Sequence, residues 1–177
     1  PIPGAKLTTI RFFQKVNSIL DKDTAIVADI GDSLFGAADL TVHGRHHFLS
    51  PAFYTSMGSA IPGALGLATA MNVRPIVIVG DGAFQMSCTE LSTIVRRKLN
   101  PIVFVLNNDG FTTERFLLDG KFNDIHGWDY HDVVKLIKGG KGYYVETEEA
   151  LEESVKLALD SKELSVVNVK EIGRAHV

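Results

Sequence analysis

The stretch Val77–Ser87, VIVGDGAFQMS, passes from an apolar, β-branched run through Gly80-Asp81-Gly82 into a helix-like segment. A tight turn that uses Asp is one explanation of this carboxylate, and a ligand-binding role at a strand end is the other. A second apolar run, Asn100–Asn108 (NPIVFVLNN), also ends in polar residues. The runs Arg74–Gly80 and Asn100–Asn108 are continuously apolar, as strands buried on both faces of a parallel sheet are. We therefore predict two buried strands with polar groups at their ends.

Strand-like and helix-like segments alternate along the rest of the chain. This alternation predicts an α/β fold in three layers, with a mostly parallel sheet, right-handed crossovers and helices on both faces. In such sheets, ligands bind beyond the carboxyl ends of the strands. The spacing of apolar residues predicts helices over Leu7–Leu20, Gly58–Asn72, Met86–Leu99 and Tyr130–Ile137. Strands are predicted over Thr24–Ser33 (with its closing loop) and His46–Ser50. The segment Gly142–Glu171 is predicted to form a strand, a helix and a strand, with Glu152 and Lys156 paired on the exposed face of the helix.

The composition is that of a soluble globular protein. The chain has 177 residues, of which 45% are apolar and 22% are charged, and a formal net charge of -3. A single domain over residues 1–177 fits this length. Acidic and basic residues are mixed, so no basic stripe indicates a nucleic-acid partner. The single cysteine, Cys88, excludes an internal disulfide and fits a cytoplasmic location. No activating base is adjacent to Cys88 in the sequence, which favours a structural thiol.

Two features bear on membranes and on the ends of the chain. No Asp, Glu, Lys or Arg lies between Arg45 and Arg74, but Pro51 and Pro62 interrupt this stretch, and no apolar run reaches the roughly 20 residues of a membrane span. We therefore expect no membrane partner. The chain starts at Pro1 without a signal-peptide pattern, so we expect a processed protein or a piece of a longer one.

The polar groups that follow the two apolar runs are oxygen donors. Asp81 supplies a carboxylate, Asn107 and Asn108 supply amide oxygens, and Gly110 permits a turn that can aim a backbone carbonyl inward. Oxygen-only ligands favour Mg²⁺ or Ca²⁺, and Mg²⁺ usually completes its coordination with water and substrate phosphates. Backbone amides at the start of the following helix, around Ala83–Gln85, would bind such phosphates. The residues alone therefore indicate a Mg²⁺-bridged diphosphate.

The spacing of these groups resembles a known pattern. Gly80-Asp81-Gly82, followed after residues 83–106 by Asn107-Asn108, is similar to the thiamine diphosphate fingerprint, in which GDG precedes NN at this interval. The wider stretch GDGAFQMSCTELSTIVRRKLNPIVFVLNNDGFTTER, with FNDIHGWDY after it, resembles the pyruvate and indolepyruvate decarboxylases. The resemblance covers the whole chain but only the C-terminal, cofactor-binding domain of those longer enzymes. It implies the thiamine diphosphate-binding fold, with thiamine diphosphate and Mg²⁺ as cofactors.

The resemblance also implies a role for each matching residue. Asp81, the side chain of Asn108 and the carbonyl of Gly110 would ligate Mg²⁺. Ala83 stands where relatives often have Ser, so only its amide would meet the diphosphate. The loop residues Gly31, Asp32 and Ser33 would contact the diphosphate as well, and the remaining implied cofactor contacts are Gly80, Gly82, Phe111 and Thr112.

A second matching segment, YTSMGSAIPGALG (Tyr54–Gly66), resembles the part of these enzymes that bends the cofactor into a V shape. Met57 falls at the position of the apolar wedge beneath the cofactor. The carbonyl of Thr55 would accept a hydrogen bond from the pyrimidine amino group. Glu114, just after NNDGFTT, matches the acid that serves proton transfer during decarboxylation.

These assignments have structural alternatives. Met57 fits an ordinary core position, and Glu114 fits the first turn of a helix, where a carboxylate complements the helix dipole. Asp32 and Ser33 fit a helix N-cap, which is compatible with a phosphate contact. We interpret four other prominent side chains as structural, namely His46, His47, Trp128 and Tyr130.

The resemblance implies that part of the active site comes from elsewhere. In the family, a glutamate that activates the aminopyrimidine and a catalytic His pair belong to the N-terminal, pyrimidine-binding domain, and the glutamate comes from a neighbouring subunit. We therefore expect a pyrimidine-binding domain from the same or another chain, a homodimer or tetramer, and a small 2-oxo acid substrate. The isolated chain is expected to be inactive.

Three alternatives remain open for the function. The first is one subunit of a split decarboxylase of the sulfopyruvate or phosphonopyruvate type, and the second is a related enzyme similar to acetolactate synthase. The third is a non-catalytic cofactor-binding or assembly module, in which the uncharged stretch between Arg45 and Arg74 serves mainly as an oligomer interface.

Overall fold

A computed structural model describes residues 1–2, 4–71 and 73–170. Strands and helices alternate through most of this range, as predicted. The strands are β1 (Thr24–Ala28), β2 (Phe48–Leu49), β3 (Arg74–Gly80), β4 (Ile102–Asn107), β5 (Lys141–Val145) and β6 (Ser165–Lys170). The helices are α1 (Thr9–Asn17), α2 (Asp32–Ala37), α3 (Ala60–Ala70), α4 (Asp81–Ser87), α5 (Leu91–Arg96), α6 (Thr112–Arg115), α7 (Val133–Leu136) and α8 (Glu148–Asp160), with 3-10 turns at Cys88–Glu90, Lys121–Asn123 and Tyr130–Asp132.

The six strands form one sheet in the order β2-β1-β3-β4-β6-β5, and every pair of neighbouring strands is parallel. Strands β3 and β4 lie at the centre, in a register that places Gly80 opposite Leu106. From β1 the chain moves first outward to β2 and then back across to β3. The carboxyl ends of β1 and β3 therefore flank the point where the strand order reverses, which is where open α/β sheets bind ligands.

Side chains of β3 alternate between two separate cores, which confirms the three-layer prediction. Ile76 and Ile78 join a core beneath α1, α2 and α8. Val77 and Val79 join a second core beneath α3, α4 and α5. Because successive residues of a strand point to opposite faces, a strand covered by helices on both faces must be apolar at every position.

The prediction of a single helix over Met86–Leu99 was wrong at its start and in its middle. Helix α4 begins at Asp81, directly after the strand, and a 3-10 turn at Cys88–Glu90 separates it from α5. The early start is stabilised by Asp81 itself, whose Oδ1 accepts a hydrogen bond from the Gly82 N–H at 2.7 Å. Glycine has low helix propensity, so the local sequence does not predict a helix there.

Two smaller predictions also need correction. The segment Thr24–Ser33 leaves the strand after Ala28, and a helix starts within it at Asp32. The Glu152 carboxylate does not pair along its own helix with Lys156 but forms an ion pair with Lys15 of α1. A tertiary neighbour thus replaces the local partner. No helix in residues 1–2, 4–71 and 73–170 is long and apolar enough to span a membrane.

Candidate functional site

An open pocket of about 490 Å³ lies at the carboxyl edge of the sheet. The loops that follow β1, β3 and β4 form it, because these three strands are adjacent in the sheet. The site residues predicted from the sequence that line it are Gly31, Asp32, Ser33, Met57, Gly80, Asp81, Gly82, Ala83, Asn108, Gly110, Phe111, Thr112 and Glu114.

Asp81 is a buried carboxylate at the base of this pocket, with 1% of its surface exposed. Its Oδ1 accepts from the Gly82 N–H at 2.7 Å, and its Oδ2 accepts from the Gly110 N–H at 3.3 Å. Burial raises the pKa of Asp81 to about 6, and these backbone hydrogen bonds oppose the rise. Two backbone N–H groups do not replace the hydration of a buried carboxylate, so Asp81 is well placed to bind a cation.

Asn108 presents an unpaired oxygen in the same pocket. Its Nδ2 donates to Oδ2 of Asp32 at 3.3 Å. Its Oδ1 is buried and has no hydrogen-bond partner within the described part of the chain. A buried amide oxygen without a partner costs free energy, which a metal ion or another ligand would recover.

Two glycines allow the backbone to approach closely around these donors. Gly110 has a φ of 146°, and a Cβ there would lie 2.2 Å from the carbonyl oxygen of Asn123. A Cβ at Gly82 would lie 2.4 Å from the ring of Phe111. Larger residues at either position would displace the turn that carries Gly110 or the ring that covers Gly82.

The residues that line the pocket include carboxylates but no basic side chain. Asp32, Asp81 and Glu114 line it, and none of its lining residues is Lys, Arg or His. No group of three or more His, Cys, Asp or Glu side chains positioned to hold a metal occurs among the described residues. A buried carboxylate and an unpaired amide oxygen in one pocket suit Mg²⁺, which completes its shell with further oxygen atoms from water and phosphate.

Comparison with protein families agrees with this geometry. Residues 29–169 match the family described as "Thiamine pyrophosphate enzyme, C-terminal TPP binding domain". The chain belongs to this family. The match begins at the end of β1, and so includes all three loops of the pocket.

Curated proteins similar to this thiamine pyrophosphate-binding domain include pyruvate decarboxylases from fungi and plants. A probable pyruvate decarboxylase, Pdc101, of Schizosaccharomyces pombe is 33% identical over 91% of the chain and 29% of its own length. Pyruvate decarboxylase 4 of Arabidopsis thaliana is 33% identical over 96% of the chain and 29% of its own length. Pyruvate decarboxylase 2 of Oryza sativa subsp. japonica is 34% identical over 91% of the chain and 27% of its own length. The chain therefore spans less than a third of these relatives.

Among the cofactor contacts implied by the resemblance, Thr55 alone does not line the pocket. It is exposed, in a turn between β2 and α3, and has a φ of 52°. Met57 does line the pocket and also packs against the core beneath α3. The core interpretation and the cofactor interpretation of Met57 are thus compatible. Glu114 lies in the four-residue helix α6, with its exposed side chain at the pocket rim.

The structure corrects the prediction of which groups face a phosphate. Because α4 begins at Asp81, the amide of Gln85 lies within the helix, where it bonds to the preceding turn, and Ala83 is the last residue whose amide is free of that turn. The Oγ of Ser33 is buried in the pocket without a partner in the described residues, so it is available as a donor. The N-cap of α2 is Gly31, not Asp32 or Ser33, and no side chain bonds to that helix end.

Several structural interpretations agree with the observed packing. Tyr130 is fully buried and meets the ring of Phe84 edge to face at 5.6 Å. Gln85 donates to its hydroxyl at 2.9 Å, and burial raises the pKa of Tyr130 to about 12. Burial also raises the pKa of the Cys88 thiol, which disfavours the reactive thiolate. His46 and His47 precede β2 and do not line the pocket, and Trp128 stacks at a tilt on Tyr130.

Asn107, offered above as an oxygen donor, turns away from the pocket. Its Nδ2 donates to Oδ1 of Asn168 at 3.1 Å, on the neighbouring strand β6. Successive residues at a strand end point in different directions, so Asn107 and Asn108 cannot both reach the same ligand. The structure assigns the pocket to Asn108.

Sequence reasoning missed Asp29 as an organising residue. Its side chain is fully buried, and it accepts from three backbone N–H groups: Ile30 at 3.0 Å, Gly58 at 3.1 Å and Ala60 at 2.9 Å. These bonds attach the turn that carries Met57 to the end of β1. The only signal in the sequence was an acid directly after an apolar strand. The other lining residues that were not predicted are Ile30, Leu106 and Thr113.

Proposed function

We propose that this chain is the thiamine pyrophosphate- and Mg²⁺-binding part of a non-oxidative 2-oxo acid decarboxylase. The observation that carries the metal assignment is the pocket with three carboxylates, no basic residue and an unpaired Asn108 oxygen. A dianionic or trianionic pyrophosphate group would be repelled by this pocket unless a divalent cation lay between them. The decarboxylase assignment is supported by the relatives named pyruvate decarboxylase.

In this proposal the chain holds the cofactor by its charged end. Asp81, Asn108 and the Gly110 carbonyl bind Mg²⁺, and the Ser33 hydroxyl and the Ala83 amide donate to the pyrophosphate. Gly31, Gly80, Gly82, Phe111 and Thr112 shape the walls of the pocket. Met57 would support the cofactor, and the carbonyl of Thr55, which lies outside this pocket, would accept a hydrogen bond from the pyrimidine. Bound thiamine pyrophosphate supplies an electron sink for the loss of CO₂ from a 2-oxo acid.

Glu114 is the residue proposed for proton transfer to the reacting carbon. Its side chain reaches the pocket rim from α6 but is exposed. Proton transfer at a reacting carbon is most effective in a site from which bulk water is excluded. We infer that another domain covers Glu114 in the complete enzyme.

Exposed apolar side chains close in sequence to two pocket residues support this covering domain. Leu117 and Phe122, which follow Glu114, are 80% and 64% exposed, and Phe53 and Tyr54, which precede Met57, are 90% and 81% exposed. Large apolar patches on a protein surface mark interaction sites. The relatives are more than three times as long as the chain, so they contain further domains that can occupy this surface. We assign that place to the pyrimidine-binding domain, in the same chain or a second copy.

Calorimetric titration with thiamine pyrophosphate tests the cofactor assignment. We expect binding in Mg²⁺ and little or none in EDTA, because the carboxylates repel the pyrophosphate. Asp81→Ala should abolish the Mg²⁺-dependent binding. Asp39→Ala, which removes an exposed carboxylate outside the pocket, is the matched control and should bind as the unchanged chain does. Equal binding in EDTA, or by Asp81→Ala, would contradict the metal site.

A chimera tests the reaction class. Residues 29–169 of this chain would replace the matching domain in one of the related pyruvate decarboxylases. We expect this chimera to release CO₂ from pyruvate, phenylpyruvate or indolepyruvate, and we expect the isolated chain to release none. A chimera that binds thiamine pyrophosphate and Mg²⁺ but releases CO₂ from none of them would contradict the decarboxylase assignment. Rapid CO₂ release by the isolated chain would contradict the need for a second domain.

A further inference from the structure

Asp32 is poorly suited to touch a pyrophosphate directly. It is the first residue of α2 and lines the pocket, and no basic side chain lines the pocket with it. Two like charges at contact distance in a partly buried pocket repel each other strongly. We therefore expect Asp32 to have a role other than direct contact with the pyrophosphate.

The contact that Asp32 makes is with the side chain of Asn108. Asn108 donates its Nδ2 to Oδ2 of Asp32 at 3.3 Å. An ionised carboxylate only accepts hydrogen bonds, whereas the amide of asparagine has one donor end and one acceptor end. Asp32 therefore selects the orientation in which the nitrogen of Asn108 faces α2. The opposite end, Oδ1, is the one left buried and unpaired among the described residues.

We propose that Asp32 is a positioning residue that holds the amide of Asn108 with its oxygen toward the Mg²⁺ site. The proposal rests on the function proposed above. With the amide reversed, its oxygen would face the Asp32 carboxylate and its N–H groups would face the cation, and both arrangements are repulsive. Hydrogen-bond partners that orient metal ligands in this way typically contribute 10- to 100-fold to metal affinity.

A double-mutant cycle separates positioning from the simple attraction between Asp32 and a cation. Asp32→Asn removes the acceptor-only partner and one negative charge. In the Asn108→Asp background, the metal ligand has two equivalent oxygens and needs no orienting partner. The probe is Mn²⁺, whose free concentration is read from its electron paramagnetic resonance signal in the presence of thiamine pyrophosphate. Circular dichroism and thermal unfolding of each variant check that it is folded.

We expect Asp32→Asn to weaken Mn²⁺ binding about 10- to 100-fold in the unchanged background. In the Asn108→Asp background, we expect the same change to weaken binding less than about 2-fold or to strengthen it, because it relieves repulsion between two adjacent carboxylates. Asp39→Asn, an exposed carboxylate beyond the far end of α2, should leave binding unchanged in both backgrounds.

Equal losses in the two backgrounds would overturn the positioning role, because attraction by charge or a general loss of structure acts regardless of the ligand at residue 108. That result would leave the proposed function intact. Failure of the unchanged chain to bind Mn²⁺ in the presence of thiamine pyrophosphate would instead overturn the proposed metal site, and with it this inference.

Discussion

Burial of the Asp81 carboxylate should make the stability of the metal-free chain fall as the pH rises. In the folded chain, burial raises the pKa of Asp81 to about 6 from an ordinary value of 3.8. The folded chain therefore keeps this proton up to about pH 6, whereas the unfolded chain releases it near pH 4. A raised pKa contributes stability that is fully present below the unfolded pKa and is lost as the pH rises through the folded one.

The magnitude follows from the two pKa values. A change from 3.8 to about 6 corresponds to about 3 kcal/mol between the fully protonated and fully ionised limits. Between pH 4.5 and 7.5, the free energy of unfolding changes by about 2 kcal/mol of that amount, because the carboxylate of the unfolded chain is already largely ionised at pH 4.5. This amount is a substantial part of the stability of a typical domain.

Urea denaturation in EDTA at pH 4.5, 5.5, 6.5 and 7.5 measures the effect, with the single tryptophan, Trp128, as the fluorescent probe. Other carboxylates respond in the opposite direction, such as Glu148, whose pKa is lowered by its hydrogen bond from Arg11. The quantity of interest is therefore the difference between the unchanged chain and Asp81→Ala. We expect the unchanged chain to gain about 2 kcal/mol relative to the variant on going from pH 7.5 to 4.5.

A constant difference between the two proteins across this pH range would refute the reasoning. It would mean that Asp81 is ionised at its ordinary pKa and is better solvated than the structure indicates. Mg²⁺ with thiamine pyrophosphate provides a second check, because a ligand that binds only the folded chain raises its stability. At pH 7.5 we expect the addition to stabilise the unchanged chain but not Asp81→Ala.

Three substitutions test other parts of the pocket. Asp29→Asn would place an amide donor against a backbone N–H, so we expect a loss of about 1–3 kcal/mol in urea denaturation and weaker cofactor binding by calorimetry. Gly82→Ala would place a Cβ against the Phe111 ring, so thiamine pyrophosphate affinity should fall. Phe111→Ala in the same chain should restore part of that affinity. If the affinity does not recover, the clash lies elsewhere. Ala83→Ser adds a hydroxyl in the pocket and should tighten cofactor binding a few-fold, and unchanged affinity would argue against a phosphate contact at Ala83.

The sheet could be predicted from the sequence because its signal is local. Arg74–Gly80 has the bounds predicted, since an apolar run that ends at Gly-Asp-Gly marks its own limits. Helix starts were less predictable, and α4 shows why. Its first turn depends on a bond between the Asp81 side chain and the Gly82 amide, which opposes the low helix propensity of glycine.

The composition of the pocket could also be predicted, but not how its side chains are arranged. Parallel strands bring their carboxyl ends to one edge, so motifs after β1, β3 and β4 had to meet there. Residue type alone did not distinguish Asn107 from Asn108, because both are amides at the end of the same strand, and only the family resemblance favoured Asn108. Strand register decides which of the two asparagines contacts Asn168 on β6 and which one faces the pocket. Asp29 was missed because its three partners include Gly58 and Ala60, which are distant in sequence.

By itself, the sequence determined the fold class, and it predicted the edge of the sheet where the pocket lies and the oxygen-bearing side chains that line it. Those properties follow from periodicity and from the spacing of motifs along the chain, which need no knowledge of distant contacts. The tertiary structure alone decided which donors are buried, which are already paired and which remain free. Asp81 is ionisable in any chain, but only burial in the folded chain raises its pKa, against the opposing effect of the hydrogen bonds from the Gly82 and Gly110 amides. Likewise, Asn108 presents its oxygen to the pocket because Asp32, far away in the sequence, accepts from its nitrogen.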